Sequence, residues 1–554
     1  MKKYLALCLA AALLAPGCVK VDNSLGKGLV DKSLLFDTYT VEFPLEEITM
    51  ELSGDLSAFS DSHLTIGSIR DPEFGLSTRE AAFTLIPQAD TIDLGTNPKA
   101  VSFSLHFEVD TVSLADETQR HILQNLYVTE LKEVIPSSFT STSHPLEHGT
   151  ELITEGIPVY NGDTYLEFNF TKEFAQQYID VIQSIGPVMI DRKEGGEDLF
   201  DLYVNMLPGI HIRTDNPTGY GGRFNLFDFS CLEVVSSRYT VNQNLAFLKV
   251  NSTWNGVQKD STFAFIPGET AFEDEESYLD SNTKFYQYCY NYTSHSTYPE
   301  KALDVIMVEG GGGLKPVIHA RELQQKTIKA IQEKGGDPNS VSIIRASIIL
   351  PFQMPEDYKY MDLFPSILSP TIRLYNTTED GESYVSFAGL TDASISSEDQ
   401  GNIDRSNLCY SPDITYHLQE ILNREDLEET SDADIWLLTI HTQKVANANA
   451  NTADNEYYQN LLYASYYNSL YGGYGGYGGY GSYGYGSSYS NYYSYMMLAQ
   501  MMAAQNQQTY SYTTELDKDR FYKAVLNGPS PLEGEKPTFV VTFAIAQEYD
   551  DKLD

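Results

Sequence analysis

The sequence is poor in basic residues, tryptophan and cysteine, and each shortage bears on its fold or its function. It has 36 Lys and Arg against 77 Asp and Glu, so we expect no basic face to neutralise phosphates and exclude nucleic acid as a partner. Two tryptophans, Trp254 and Trp436, provide few large aromatic platforms for sugars. Beyond the N-terminal region, Cys231, Cys289 and Cys409 form no disulfide framework. One disulfide and three buried thiols are both open.

Long apolar runs are also missing after the first residues, and none reaches about 18 residues, so no transmembrane helix is predicted. The chain begins "MKKYLALCLAAALLAPGC", with two lysines, a short apolar run and small residues before Cys18. This pattern predicts a lipoprotein signal peptide over residues 1–17 and a lipidated Cys18 as the first mature residue. The alternative is an ordinary cleaved signal with an incidental cysteine.

Strand-like text makes up most of the sequence. Stretches such as "TYTVEF", "KAVSFSLHFEV" and "TYLEFNF" alternate apolar and polar residues, and turns such as "RDPEFG" and "TDNPTGYGG" separate them. We predict a mainly β protein of sandwich or barrel-like antiparallel sheets, with a few short helices and one long Tyr/Gly-rich insertion. Helical periodicity is found over 171–187, 320–336 and 414–425.

Composition divides the chain into four parts after the signal peptide. These parts are an N-terminal β-rich region over 18–250, a second β-rich region over 251–450, an uncharged Tyr/Gly/Met-rich excursion over 451–515 and a closing strand region over 516–554. Strand-like stretches at 434–445 and 538–546 flank the excursion. Their similar character predicts that they lie in one sheet, from which the excursion leaves and to which it returns.

Motifs for catalysis or cofactor binding are weak. "HPLEH" (144–148) has the spacing of a His-x-x-Glu-His zinc motif, but Pro145 predicts a loop rather than the required helix. "EGGGG" (309–313) lacks the Lys-Ser/Thr of a phosphate loop and predicts a tight turn. The acidic runs at 273–277 and 425–434 lack calcium-loop spacing and indicate solvated surface. We therefore expect a protein that is not an enzyme, with no cofactor and no metal.

Six stretches together carry a family resemblance. A cysteine with a charged segment behind it, "CVKVDNSLGKGLVD", is followed in order by "GSIRDPEFGLSTREAAF", "FDLYVNMLPGIHIR", "VEGGGGLKPVI", "NSVSIIRASIILP" and "YKAVLNGP". This set resembles a family of Bacteroidota outer-membrane lipoproteins catalogued as a domain of unknown function, number four-two-seven-zero. The resemblance implies a β-rich lipoprotein without a known catalytic site, lipidated at Cys18. It also implies surface display, for which Asp22 is the nearby acidic residue that would support export.

The same resemblance implies a possible modification. The O-glycosylation pattern of the phylum is Asp, then Ser or Thr, then a small or aliphatic residue. Three triplets fit it: "DTI" at 90–92, "DTV" at 110–112 and "DST" at 260–262. The first two lie in strand-like sequence, and a chance match to so short a pattern is the alternative.

The excursion has an unusual composition. Residues 457–514 contain no Asp, Glu, Lys or Arg, and fifteen of the 40 tyrosines lie between positions 457 and 495. Tyrosine offers a large ring and a hydroxyl at low entropic cost, and methionine adapts to irregular surfaces, so the arm suits contact with a partner protein. Contact with a membrane interface and a disordered loop without a task are the alternatives. The partner-binding residues that we predict are Tyr471, Tyr474, Tyr477, Tyr480, Tyr483, Tyr485, Tyr492, Tyr493, Tyr495, Met496 and Met497.

These observations lead, by analogy, to a functional hypothesis. We expect a lipid-anchored subunit of an outer-membrane protein complex, exposed at the cell surface, whose arm docks onto an outer-membrane barrel protein and other lipoproteins. Assembly or export of outer-membrane proteins is the process that we favour. The alternative is a glycan-binding surface lipoprotein of a nutrient-uptake system, or an adhesin.

Overall fold

The computed structural model describes residues 36–546 with internal gaps, and most of these residues are in strands. Outside the described residues lie 1–35, 59–62, 88–91, 137–139, 187–196, 229–231, 236–237, 242–244, 273–283, 288, 297–303, 378–380, 382, 393–399, 426, 429–430, 447–509, 532–533 and 547–554.

The strands of the N-terminal half, in chain order, are β1 Phe36–Pro44, β2 Ile48–Leu52, β3 His63–Asp71, β4 Gly75–Phe83, β5 Leu85–Pro87, β6 Thr96–Leu114, β7 Gln124–Leu131, β8 His148–Leu152, β9 Val159–Tyr160, β10 Tyr165–Asn169, β11 Ile210–Thr214, β12 Gly221–Asp228, β13 Leu232–Val235, β14 Arg238–Val241, β15 Leu245–Trp254 and β16 Val257–Pro267. The strands that follow are β17 Glu269–Phe272, β18 Lys284–Gln287, β19 Cys289–His295, β20 Val305–Glu309, β21 Leu314–Ile318, β22 Ser342–Pro351, β23 Ile367–Thr377, β24 Ser383–Gly389, β25 Ile403–Asp404, β26 Cys409–Tyr410, β27 Ile435–Ala446, β28 Tyr510–Leu516, β29 Lys523–Asn527 and β30 Thr538–Ala546.

Helices are few among the described residues, and the three predicted helical stretches are confirmed. The helices are α1 Lys172–Ile185, α2 Glu197–Met206, α3 Ala320–Glu333 and α4 Thr415–Ile421, with short 3-10 helices at Glu117–Gln119, Pro338–Ser340 and Tyr358–Leu363. Sequence reasoning missed α2. Its signal was present, because the buried Phe200, Tyr203, Val204 and Leu207 follow helical spacing.

The largest sheet, which we call the first β body, has thirteen strands. Its order is β5-β16-β15-β6-β12-β3-β4-β11-β7-β8, and β10, β19 and β9 pair with β6, β4 and β7. Helix α1 packs beside β6 and begins at the Thr171 cap, whose hydroxyl accepts a hydrogen bond from the Phe174 amide at 3.2 Å. Its buried face surrounds Phe103, which contacts the rings of Phe170, Phe174, Tyr178 and Phe265. Burying each such ring contributes about 1.5–3 kcal/mol.

The second β body consists of smaller sheets around a separate core. A five-stranded sheet has the order β1-β30-β22-β26-β25, and a six-stranded sheet has the order β2-β21-β27-β23-β24 with β28 paired to β27. The pair β20-β29 is also part of this body. One hydrophobic core joins these strands, except β28, to α3 and α4, and its members include Ile48, Ile306, Leu323, Ile348, Leu418, Ile435, Leu526 and Val541. The predicted mainly β, antiparallel, sandwich-like fold is therefore confirmed.

The first body is inserted into the second. Strands β1 and β2 pair with β30 and β21, which lie late in the chain. Between β2 and β20 the chain enters the thirteen-stranded sheet at β3 and leaves it after β19. The boundary between two regions that we predicted near residue 250 falls inside β15 Leu245–Trp254.

One pairing prediction is wrong. The stretches 434–445 and 538–546 do not share a sheet, because β27 lies in the six-stranded sheet and β30 in the five-stranded one. The strand that follows β27 and pairs with it is β28 Tyr510–Leu516, whose first six residues we had placed in the excursion over 451–515. Apolar character shows that a strand is buried, but it does not identify its neighbour. In a hairpin the end of the first strand lies beside the start of the second, and the start of β28 lies beside the end of β27.

Candidate functional site

The predicted site residues lie outside the described part of the chain. Cys18 lies there, as do the predicted arm residues Tyr471, Tyr474, Tyr477, Tyr480, Tyr483, Tyr485, Tyr492, Tyr493, Tyr495, Met496 and Met497. Their roles stay predictions. What the structure does describe is the base to which both ends of the arm are attached.

That base is the antiparallel pair of β27 and β28. Its register runs from Ile440 opposite Leu516 to Ala446 opposite Tyr510. The two residues that flank the segment 447–509 are therefore paired neighbours. Although the strand partner differs from our prediction, the excursion does leave and return to a single sheet.

The hairpin extends past the rest of its sheet. On one side β27 pairs with β23, and this pairing stops at Ile367 opposite Ile440. Beyond that point, 441–446 and 510–515 form a two-stranded ribbon to which no third strand pairs within the described residues.

After β28 the chain forms a tightly bonded turn, residues 517–522, which we call the junction segment. The buried Asp517 carboxylate accepts hydrogen bonds from the Arg520 amide at 3.0 Å and the Tyr522 hydroxyl at 2.5 Å. The Asp517 amide donates to the Thr439 carbonyl at 2.9 Å, so the turn is fastened to β27. The return strand of the arm is therefore continuous with a rigid turn.

The next residues of the junction segment bind the first body through charge. Asp519 Oδ1 accepts a hydrogen bond from the Thr65 hydroxyl at 2.8 Å, and its Oδ2 lies 3.6 Å from His63 Nδ1. The other imidazole nitrogen of His63 lies 3.2 Å from Asp110 Oδ2. Burial would lower the pKa of His63, but the two carboxylates raise it to about 10. At neutral pH a charged imidazolium thus bridges the two bodies.

Apolar contact and a second ion pair complete this side of the junction. The buried Phe521 packs against Phe224 of β12, and its amide donates to the Ser113 hydroxyl at 2.7 Å. Lys523, the first residue of β29, lies 3.1 Å from Asp71 Oδ2. Strands β3, β6 and β12 of the first body thus all contact a short piece of the second.

A glycine-rich turn forms the other side of the junction. Residues 309–313 make the tight turn between β20 and β21 that we predicted. A Cβ atom at Gly310 would lie 2.0 Å from the Arg520 carbonyl oxygen. At Gly311, with φ +55°, it would lie 2.4 Å from Arg79 Nη2. The glycines are needed because backbone and a buried arginine approach the turn this closely.

Four ionisable side chains are buried around this turn. Arg79 Nη1 approaches His295 Nε2 at 3.2 Å, and His295 Nδ1 lies 3.6 Å from Glu309 Oε2. Lys315 is fully buried and donates hydrogen bonds to the carbonyl oxygens of Glu309, Gly311 and Gly313, at 2.5, 3.0 and 3.2 Å. Burial lowers the pKa of Lys315 to about 7 and that of Arg79 to about 10.

This buried cluster was not found from the sequence. Its members come from β4, β19, β20 and β21, so no local spacing brings them together. The available signal was the lysine in "EGGGGLKP", a charged residue within an otherwise apolar strand. Full satisfaction of Lys315 by carbonyl oxygens indicates a structural role, which is to hold the glycine turn in shape.

The "HPLEH" stretch is a loop, as predicted. Residues 144–147 are irregular and His148 begins β8. The carbonyl oxygen of His144 accepts a hydrogen bond from the Tyr290 hydroxyl at 2.5 Å. Among the residues that the structure describes, no group of three or more His, Cys, Asp or Glu side chains is arranged to hold a metal.

The remaining candidates are scattered. Of the acidic runs, 273–277 lies outside the described residues, whereas 425–434 is described in part and contains Asp434, which caps α3 by accepting the Ala320 amide at 2.9 Å. The triplets 110–112 and 260–262 lie within β6 and β16. Cys409 is a half-buried free thiol, and burial raises its pKa.

An open groove lies along α1, and its volume is about 670 Å³. Polar and apolar side chains line it, and two of the polar ones already bond within the protein: Gln176 accepts from the Ala100 amide at 3.1 Å, and Gln177 donates to Glu130 at 2.7 Å. No helix in the described part of the chain has the length and apolar character to cross a membrane.

No known protein family, curated protein or solved structure matches this chain. The functional argument therefore rests on the geometry of the arm's base and of the junction behind it. The resemblance to the lipoprotein family stays a prediction that depends on the six sequence stretches.

Proposed function

We propose that this protein is a non-enzymatic, lipid-anchored subunit of an outer-membrane protein complex, in which the segment 447–509 docks onto partner subunits. Assembly or export of outer-membrane proteins is the process in which it would act, and a barrel protein with other lipoproteins would be its partners. Cys18 would carry the lipid. The arm's tyrosines and methionines would make the contact.

The observation that carries the proposal is the pairing of Ala446 with Tyr510. A hairpin with paired ends presents whatever lies between them at one defined place. Apart from Asp454 and Glu456 near its start, the segment between them is uncharged, in a chain with a net charge of −41. Such a segment can approach an apolar or acidic partner without the repulsion that the rest of the surface would exert.

The junction segment supports the same proposal. Because β28 runs straight into residues 517–522, a load on the arm is resisted by contacts in both bodies rather than by one hairpin. A fixed base reduces the freedom that is lost on docking, which favours affinity. The two bodies then serve as a scaffold that sets the position of the arm.

The test is co-purification from detergent-solubilised membranes. One variant replaces 447–509 with Asn-Gly, which joins Ala446 to Tyr510 by a two-residue hairpin turn. A matched control replaces the same residues with a Gly/Ser linker of equal length. We expect barrel proteins to co-purify with the native chain and to be lost from both variants, while the variants keep the native thermal unfolding midpoint.

Two results would oppose the proposal. If the Asn-Gly variant retains the same partners as the native chain, the arm does not dock. If the native chain itself comes down alone, the protein is not a complex subunit, and glycan binding or adhesion becomes the better hypothesis.

A further inference from the structure

Two histidine rings are stacked on the first body, away from the junction. His148 begins β8, His211 lies on β11, and their ring centroids are 4.0 Å apart with 16° between the ring planes. Strand β7 separates their two strands in the sheet, so the rings meet across it. They line one side of an enclosed cavity of about 40 Å³.

The hydrogen bonds of His211 indicate that its ring is neutral. His211 Nε2 lies 2.9 Å from Glu80 Oε2, and a carboxylate accepts, so this nitrogen carries the hydrogen. His211 Nδ1 is buried and has no hydrogen-bond partner among the described residues. His148 Nδ1 lies 2.9 Å from the Gly149 carbonyl, so it too is a donor.

Adding a proton to this pair of rings is unfavourable. On His211 it would go to Nδ1, which is buried without an acceptor. A proton on each ring would put two like charges in a stack only 4.0 Å apart. Of the groups facing the pair, Glu80 favours the charged form and Arg213 opposes it, and Tyr290 and Tyr292 line the same cavity. Burial, the largest of these effects, lowers the pKa of His211.

The strand that carries His148 pairs irregularly with its neighbour. Strand β8 lies at the end of the sheet and pairs with β7 only at Thr129 opposite Leu152 and Leu131 opposite His148, with a register shift between them. Two further backbone bonds flank the strand, from the Lys132 amide to the Glu147 carbonyl at 2.9 Å and from the Ile153 amide to the Val128 carbonyl at 3.1 Å. Release of the segment has to break this small set of bonds. The loop before β8 covers apolar surface through the buried Leu146.

We propose that the stacked pair of His148 and His211 is an acid-sensitive clasp. With both rings neutral, the stack holds residues 144–152 against β7 and β11. With both rings protonated, repulsion releases that segment and uncovers the edge of β7. The change adds protons only, and requires no other ligand. This inference is independent of the arm and of its partners.

Hydrogen exchange on the intact protein tests the clasp. We expect amides of 144–152 to exchange at least about ten-fold faster at pH 5.0 than at pH 7.5, after correction for intrinsic exchange rates. Amides of α1 serve as the internal reference and should keep their protection. The variant His148→Gln cannot add the second charge, so its segment should change less than about two-fold between the two pH values. The control His121→Gln removes an exposed ring and should respond like the native chain.

The proposal is overturned if the native segment is equally protected at both pH values. It is also overturned if His148→Gln responds to acid like the native chain, or if its segment is already open at pH 7.5. Because the native comparison alone can reject the clasp, the test does not depend on the stability of the variant.

Discussion

The ring of Phe521 meets the ring of Phe224 edge-on, with centroids 6.1 Å apart. Phe521 belongs to the junction segment of the second body, and Phe224 to β12 of the first. Ile69 and Leu226 complete this small buried cluster. The guanidinium carbon of Arg79 lies 4.7 Å from the centroid of the Phe224 ring, which links the apolar contact to the buried charges around the glycine turn.

Removing the Phe521 ring should weaken the junction. Phe521→Ala deletes a buried ring from a packed contact, and we expect a loss of about 3–5 kcal/mol in the free energy of unfolding. Urea denaturation followed by circular dichroism measures it. Tyr358→Ala is the control because that ring is 64% exposed, and it should change stability by less than about 0.5 kcal/mol. An unchanged urea midpoint for Phe521→Ala would show that the contact is not stabilising.

Two glycines allow a matched test of the close approach at the junction. Gly310→Ala should destabilise the protein, because the added Cβ would lie 2.0 Å from the Arg520 carbonyl oxygen and neither backbone can yield cheaply. Gly219→Ala adds the same methyl group where nothing lies within 4 Å, and should leave the thermal midpoint within about 1 °C. Equal midpoints for the two variants would contradict the packing of the glycine turn.

A buried neutral histidine should make stability depend on pH. His417 lies on the buried side of α4, and burial lowers its pKa to about 4. Its Nε2 donates to the Ala433 carbonyl at 2.8 Å. The unfolded chain binds the proton first, so this contribution is fully present above pH 6.5 and is lost as the pH falls toward 4. For one such group, the loss between pH 7 and pH 5 is about 2 kcal/mol.

The variant His417→Gln should reduce that dependence, whereas His121→Gln, which changes an exposed ring, should keep it. The measurement is the urea denaturation midpoint of the native chain and of the two variants at pH 7 and pH 5. The raised pKa values of His63 and His319 act in the opposite direction, but they are common to all three proteins and cancel in the comparison. If the stability of His417→Gln changes between pH 7 and pH 5 as much as that of the native chain, His417 is not the source of the pH dependence.

The sequence predicts elements better than it predicts neighbours. Alternation and helical spacing are local properties, so the β class and the helices α1, α3 and α4 followed from them. Strand pairing depends on distant residues, and the similar apolar character of 434–445 and 538–546 led to a wrong pairing. The true partner, β28, is uncharged over its first five residues and resembled the arm that precedes it.

The buried charged residues are a second case in which the sequence does not identify spatial neighbours. Arg79, Asp519 and His63 are separated by hundreds of positions or lie on different strands, and no motif connects them. The insertion of one body into the other brings them together, and that topology is not visible in local patterns. A charged residue inside an apolar strand, such as Lys315, was the available sign.

The central claim is that the side chains of the arm bind partner subunits, and one comparison tests it most directly. Two full-length variants change the nine predicted tyrosines, Tyr471, Tyr474, Tyr477, Tyr480, Tyr483, Tyr485, Tyr492, Tyr493 and Tyr495, to serine in one and to phenylalanine in the other. Both keep the length and the paired ends of the arm, and the phenylalanine variant also keeps the rings. The measurement is the amount of barrel protein that co-purifies with each from solubilised membranes. We expect the serine variant to lose the barrel protein and the phenylalanine variant to retain most of it. Native amounts with the serine variant would contradict the account.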